Sequence, residues 1–327
     1  MSGISSRLGN VAFAKQSAKG VTAGAPAKRF FLAAAPSLMP VKNRARFAMT
    51  DDNRDQGNAY TSSMNVAGEV TVYAHYDGLA NLLYYAMGAN VDAGAGPYTH
   101  TITGAADVPW ITVWYTRGAA TAAAGGVIEK YVDCKVTSLR IEGSAGSPLM
   151  VTLGLLGITS NYEASEPALA ALTSSPAIYP EFLGELKVAT VAQKLHRLSF
   201  AVEQNLAGYQ ADDFFLHDID PGGRQYSLAF ATRHTGPTAF PDYKTFFYGG
   251  GTTLVPAVAT SAFAAKAVRS AGLSVQLDIA AISYAAIPVH ADPGGAPIEV
   301  EVACEVERPP SGEIVQFTVT DSNTTVT

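Results

Sequence analysis

The chain has 327 residues, of which 15% are charged, and a formal net charge of −6. That length favours two domains, and a hydrophobic content of 48% is enough for a packed core and excludes wholesale disorder. The acidic balance argues against a protein that grips phosphate backbones through clustered Lys and Arg, whereas the small charged fraction favours self-assembly.

The first segment, residues 1–30, is rich in small, polar and basic residues and predicts a flexible arm. Such an arm is either disordered or ordered on a neighbouring molecule. Its apolar run at 11–14 is too short for a signal peptide, and no run approaches the roughly 20 residues that cross a bilayer. We therefore expect a protein made in a cytoplasm, with no membrane contact.

Strand patterns dominate the first predicted domain, residues 31–162. Apolar residues alternate with polar ones over 66–72, 111–115 and, less regularly, 136–141. Residues 149–158 are nearly all apolar, which is typical of a strand buried on both faces. These patterns predict antiparallel sheet with one face on a core.

One helix is predicted inside this domain. Asp77 is a candidate N-cap and Gly88 a stop signal. The apolar residues between them follow helical spacing and predict a core-facing stripe made of Leu79, Leu82, Leu83 and Met87.

An Ala-, Ser- and Pro-rich stretch, residues 163–180, predicts a linker to a second domain, residues 181–327. Residues 226–231 alternate as a strand, and Pro241 and Asp242 then open a second predicted helix that Gly249 ends. The candidate core residues of this second flanking helix are Phe240, Tyr243 and Phe247.

The two halves share an order of elements. Residues 65–88 and 226–249 both read as strand, turn, helix and Gly at an offset of 161, and residues 148–153 match 297–302 at an offset of 149. We therefore predict a tandem duplication of one β-rich unit that contains a single helix.

Several runs resemble those of a known family, in order and spacing, over residues 2–158. They are the arm residues 2–9 and 14–20, the strand and helix block 68–88, and the runs 98–101, 131–143 and 150–153. Together they resemble the tail tube (major tail) proteins of long-tailed, non-contractile bacteriophages. The second half resembles this family only through the inferred duplication.

The resemblance implies a mainly β fold of two tandem tail-tube-type β-sandwich or barrel units, each with one flanking α-helix. In such proteins six units join into a ring, and stacked rings form the tube through which DNA leaves the capsid. Two units per chain imply a homotrimeric, pseudo-hexameric ring in the virion tail. The implied partners are other copies of the chain, the tape measure, tail terminator and distal tail or baseplate proteins, and passing double-stranded DNA.

The strand at 298–307 carries the most distinctive pattern, with four glutamates on one face and apolar residues on the other. The glutamates are Glu299, Glu301, Glu305 and Glu307. An ordinary solvated face is one interpretation. The other is an acidic stripe that faces the lumen and keeps DNA from sticking.

No catalytic, cofactor-binding or metal-binding motif is found. Cys134 and Cys304 lie in apolar alternating runs and predict reduced core thiols. Residues 217–223 predict a polar turn rather than a metal loop. We predict no enzyme and no cofactor. We expect the ring-to-ring contacts in the arm, residues 1–30, and in two long predicted loops, residues 88–98 and 117–126. The alternative function is a β-sandwich binding module, such as a virion decoration or carbohydrate-binding protein.

Overall fold

The computed structural model describes residues 9–23, 27–46, 59–170, 186–188, 191–193, 195–233, 248, 252–254, 260–270, 272–286 and 299–326. Within them the fold is mainly β, as predicted, and nearly all strand pairs are antiparallel. The strands of the first half are β1 (Asn10–Lys15), β2 (Ala27–Phe31), β3 (Met39–Arg46), β4 (Ala59–Tyr73), β5 (Gly88–Ala93), β6 (Tyr98–Gly104), β7 (Ile111–Arg117), β8 (Val127–Ser144), β9 (Met150–Glu163) and β10 (Leu169–Ala170).

The second half supplies the remaining strands. They are β11 (Leu186–Val188), β12 (Val191–Gln193), β13 (Leu195–Glu203), β14 (Ala207–Gln210), β15 (Leu216–Asp220), β16 (Gln225–Arg233), β17 (Ser261–Ser270), β18 (Leu273–Ala286), β19 (Glu299–Val306) and β20 (Val315–Asp321). Strands β14 and β15 form a hairpin of their own, and the other described strands join one continuous sheet.

Helix α1 (Leu79–Met87) begins after β4 and ends at Gly88, whose left-handed conformation is what a C-terminal glycine supplies. Its N-cap is Gly78 rather than Asp77, because the Asp77 side chain instead lies within 3.5 Å of the Lys28 ammonium. The predicted stripe residues are all buried, at 0–1% exposure. The opposite side of α1 is covered too, and Ala80, Asn81, Tyr85 and Ala86 are also buried.

The N-terminal segment does not behave as the flexible arm that its composition predicts. Strand β1 pairs with β2 on one edge and with β7 on the other, and Val11 and Phe13 are fully buried. Gln16 and the backbone N–H of Gly20 both donate to Asp133 of β8. Residues 9–23 are therefore ordered on this chain rather than on a neighbour.

Three further predictions change at the level of single elements. The stretch 88–98, predicted as a loop, forms the β5–β6 hairpin. Residues 217–220, predicted as part of a polar turn, lie in β15, which pairs with β14 and buries Ile219. The start of the predicted linker pairs with β2 through β10. The second predicted helix and its residues Phe240, Tyr243 and Phe247 lie outside the described residues.

The same strand order occurs twice. In the first half β4, β9, β8 and β7 are successive neighbours, and in the second half β16, β19, β18 and β17 are. The β7–β8 and β17–β18 pairs each contain a register shift at the matching place, between Ile111 and Val113 in β7 and between Ser261 and Phe263 in β17. The β8–β9 and β18–β19 pairs do so as well, between Val136 and Ser138 in β8 and between Tyr284 and Ala286 in β18.

The register corrects one of the two offsets read from the sequence. Val70 pairs with Leu153, and Phe230 pairs with Val302 at the matching position. The offset of β19 from β9 is therefore 149, as predicted, but that of β16 from β4 is 160 rather than 161. The sequence of β16 does not indicate which of its two faces is buried, and so hides the correct offset, because Ala229 and Ala231 on the face away from the core are apolar as well.

Two strand pairings join the halves to each other. Strand β8 pairs with β13 from Ser144 opposite Arg197 to Ser138 opposite Glu203, and β6 pairs with β20 over their length. One hydrophobic core runs beneath both halves, from Val11 in β1 to Val319 in β20. The two predicted units are thus not separate bodies but share a sheet and a core.

Candidate functional site

Six strands in the order β4, β9, β8, β13, β16 and β19 form a continuous antiparallel surface that crosses from one half to the other. We call it the seam sheet. One face packs on the core through alternating residues such as Val70, Leu153, Phe200, Phe230 and Val302. The other face, here the polar face, carries the intervening side chains.

The register places side chains on the polar face in rows across the strands, because directly paired residues share a face. One row consists of Tyr73, Met150, Glu142, Ser199, Ala229 and Ala303. The next consists of Thr71, Thr152, Arg140, Ala201, Ser227 and Glu305. Small and hydroxylated side chains make up most of both rows, so the face is sparsely charged.

The charged side chains of this face are mostly acidic. Among the side chains that the structure describes, they are Glu69, Glu142, Glu203, Glu301, Glu305, Arg140 and Arg197, and the register places Glu299 and Arg233 on the same face. Arg197 pairs with Glu301 at 2.6 Å, and Arg140 lies 3.6 Å from Glu142. These four side chains are 42–59% exposed, so their ion pairs contribute little to stability, and the face keeps an excess of negative charge.

The structure describes the side chains of three of the four glutamates of the predicted stripe. Glu301 and Glu305 are exposed on the polar face, while the neighbouring Val300, Val302 and Cys304 are buried. Glu299 is the first residue of β19, opposite Arg233 of β16. Glu307 follows the end of β19.

Glu307 is hydrogen-bonded to β18. Its backbone N–H donates to the carbonyl of Ala281, and its carboxylate accepts a 2.7 Å hydrogen bond from the Ser283 hydroxyl. Ser283 lies opposite Glu305 in the β18–β19 pairing, so Glu307 stays beside Glu305. Of the three described side chains, those of Glu301 and Glu305 are exposed and that of Glu307 is half-buried.

Sequence reasoning missed the rest of this surface. The alternation of Ser138, Arg140, Glu142 and Ser144 in β8 is a readable signal of a polar strand face. Nothing in the sequence indicates that β8 pairs with β13, and that pairing is what brings the glutamates of the two halves onto one surface.

An exposed basic hairpin was also missed. Strands β3 and β4 pair from Met39 opposite Ala67 to Arg46 opposite Ala59. Lys42, Arg44 and Arg46 alternate along β3. Together they place three cations on an exposed strand that pairs with β4.

The described residues offer little reactive chemistry. No group of three or more His, Cys, Asp or Glu side chains among them is placed to hold a metal ion. Cys134 and Cys304 are free and buried, and burial raises the pKa of both thiols, which keeps them in the unreactive protonated form. A depression on the polar face is lined by Glu142, Ser199, Arg197 and Glu301, without a nucleophile beside a base.

No helix in the described part of the chain is long and apolar enough to span a membrane. The family model for the phage tail tube protein matches residues 6–306. None of the curated proteins compared with the chain matches it.

Proposed function

The chain belongs to the phage tail tube protein family, and on that premise we propose that its copies join into rings that stack into the tube of a long, non-contractile phage tail. The protein is a structural component of the virion tail. The tube would be the conduit through which DNA leaves the capsid. The observation that carries this proposal is the family match, which spans both halves of the chain.

Each ring would contain three chains. The repeated strand order and the matching register shifts support a tandem duplication, in which residues 31–162 and 181–327 carry one unit each. Six units per ring then require three chains, related by a heterologous contact that closes on itself. The seam between β8 and β13 already joins two units edge to edge inside one chain.

The polar face of the seam sheet is the surface that we assign to the lumen. DNA must pass along it without binding, and a face that carries more glutamates than arginines repels a phosphate backbone more than it attracts one. The role of Glu301 and Glu305 is therefore to prevent adhesion.

The remaining partners follow from the position of a tube: a tape measure protein inside it during assembly, a terminator at one end and distal tail proteins at the other.

Electron microscopy of the purified full-length protein tests the proposal. We expect filaments with a central channel, and a ring in averaged end views whose mass equals three chains. Six full-length chains per ring would refute the trimeric ring while leaving the tube. A persistent monomer that binds glycans would refute the tube and favour a β-sandwich binding module.

A further inference from the structure

Three polar side chains meet where the first half of the chain touches the segment that follows β20. Lys28 lies on β2, Asp77 lies just before α1, and Asn323 follows the end of β20. The Lys28 ammonium donates to Oδ1 of Asn323 at 3.2 Å and lies 3.5 Å from Oδ1 of Asp77. Lys28 and Asn323 are 295 residues apart in the sequence, so only the fold brings them together.

The side-chain amide of Asn323 is held with its oxygen towards Lys28. Its Nδ2 donates to the carbonyl of Asp77 at 3.3 Å and to Oδ2 of Asp321 at 3.0 Å. Asp321 is itself fully buried and hydrogen-bonded to His100. The reversed amide would set its oxygen against a carboxylate and its NH₂ against an ammonium, so the network fixes this one orientation.

Little water reaches this contact. The side chains of Asp77 and Lys28 are 4% and 20% exposed. The backbone N–H of Asp77 donates to Nδ1 of the buried His75 at 3.2 Å. The next residue, Gly78, packs so closely on the ring of the buried Phe30 that an added Cβ would lie 2.5 Å from it. A reactive amine at this place therefore meets the neighbouring amide rather than water.

An amine, a carboxamide and a carboxylate in contact are the groups needed to form an amide bond between side chains. A carboxylate that takes a proton from the ammonium frees the lone pair of the nitrogen for attack on the amide carbon. That carbon, Cγ of Asn323, is bonded to Oδ1 over about 1.23 Å and so lies no more than about 4.4 Å from Nζ of Lys28. A small rotation of the long lysine side chain brings the two atoms to attack distance.

We propose that Lys28 and Asn323 become joined by an isopeptide bond, with Asp77 as the catalytic base. The Asp77 carboxylate takes one proton from the Lys28 ammonium. The lone pair of Nζ then forms the bond to Cγ of Asn323, and the π electrons of the carbonyl move onto Oδ1.

Both nitrogens are now bonded to Cγ, so one carboxyl group serves both. Asp77 gives its proton to Nδ2 and takes a second proton from Nζ. The electron pair on Oδ1 re-forms the carbonyl, the Cγ–Nδ2 bond breaks, and ammonia leaves with the second proton as an ammonium ion. The ammonium ion is the only other product, and the step needs no oxidant, cofactor or energy source.

The bond ties β2 of the first half to the segment after β20 of the second. It closes a loop that contains nearly all of both halves, which restricts the unfolded chain and so favours the folded one. The inference goes beyond the proposed function and does not depend on it, since the bond forms within a single copy of the chain.

Mass spectrometry of the purified full-length protein tests the bond. We expect an intact mass lower than that of the sequence by one ammonia, and a proteolytic digest in which the peptide with Lys28 is joined to the peptide with Asn323. A protein with the full mass of its sequence would overturn the inference. Loss of ammonia without a joined peptide would also overturn it, because a cyclic imide at Asn323 has the same mass.

Variants assign the chemistry to the three side chains. Lys28→Arg keeps the positive charge but offers no free amine, Asn323→Leu removes the amide, and Asp77→Asn removes the base. Each should keep its full mass and, because it lacks the crosslink, migrate more slowly in a denaturing gel than the unsubstituted protein. The control Lys19→Arg alters a more exposed ion pair, with Asp218, and should still lose ammonia. A joined peptide in Asp77→Asn would overturn the role of Asp77 as the base.

Discussion

His100 of β6 and Asp321 of β20 form a fully buried ion pair that joins the two halves, with Nε2 and Oδ1 3.0 Å apart. The other ring nitrogen of His100 lies 2.6 Å from Asp92 of β5. When His100 is protonated, both of its ring nitrogens donate to carboxylate oxygens and its positive charge lies between Asp92 and Asp321. Asp321 also accepts hydrogen bonds from the backbone and side chain of Asn323.

This pair predicts a pH dependence of stability. Burial lowers the pKa of His100, but its hydrogen bonds to the carboxylates of Asp321 and Asp92 and their negative charges outweigh burial and raise the pKa above 6.5. A raised folded-state pKa gives stability that is complete below 6.5 and is lost as the pH rises through the folded value. The free energy of unfolding, measured by urea titration, should therefore fall as the pH rises above 6.5.

The variant His100→Asn should remove that dependence and lower the free energy of unfolding by about 3 kcal/mol at acidic pH, because it leaves the buried carboxylate of Asp321 without its cation. The control His217→Asn changes an exposed histidine on β15 and should leave the pH profile intact. A profile that is the same in the unsubstituted protein and in His100→Asn would show that His100 is not the titrating group.

A buried lysine anchors the β14–β15 hairpin to the first half. The Lys135 side chain is 2% exposed, and its ammonium donates to both carboxylate oxygens of Asp107, at 2.8 and 2.7 Å, and to the carbonyl of Ile219 at 3.0 Å. Lys135→Met should cost about 3 kcal/mol and speed hydrogen exchange across β14 and β15. Lys19→Met removes a more exposed pair with Asp218 and should cost less than about 1 kcal/mol. Equal effects of the two variants would contradict the anchoring role of Lys135.

The elements that could be predicted are those whose local pattern already decides their burial. The alternation of β4, the apolar run of β9 and the helical spacing of Leu79, Leu82 and Leu83 were sufficient. Strand β1 was missed because its burial depends on β2 and β7, which cover it from both sides, while the basic residues around it favour an arm. The hairpin β5–β6 was missed because β5 is short and exposed, with Val91 as its single large apolar residue.

The candidate site depends on long-range pairing, which local patterns do not encode. The glutamates of β19 were identified from their alternation, but the arginines and glutamates of β8 and β13 join them only through the seam. Glu307 follows the end of β19 and is hydrogen-bonded to residues 281 and 283 of β18, a tertiary contact that period two in the sequence does not indicate.

A glycine in β4 permits close backbone packing. Gly68 has a φ of +145°, and an added Cβ would lie 2.5 Å from the carbonyl oxygen of Ser37 and 2.6 Å from Cα of Leu38. Gly68→Ala should therefore destabilise the protein by about 3 kcal/mol or more. Gly146→Ala, at a φ of +82° but with nothing within 4 Å, should cost only about 1 kcal/mol. Urea titration of both variants separates steric overlap from backbone strain, and equal losses would contradict the close approach.

Charge reversal on the polar face tests the assignment of that face to the lumen. Glu301 and Glu305 are exposed, so Glu301→Lys with Glu305→Lys should leave folding and assembly intact. If the face lines the lumen, three chains per ring place new cations along the DNA path, and each phosphate neutralised releases about one counterion. Phage carrying this variant should eject DNA more slowly, and the delay should shrink as salt is raised. The matched control reverses Asp212 and Glu313, which are exposed on loops outside the polar face. Equal ejection rates in the two variants would place the polar face away from the DNA.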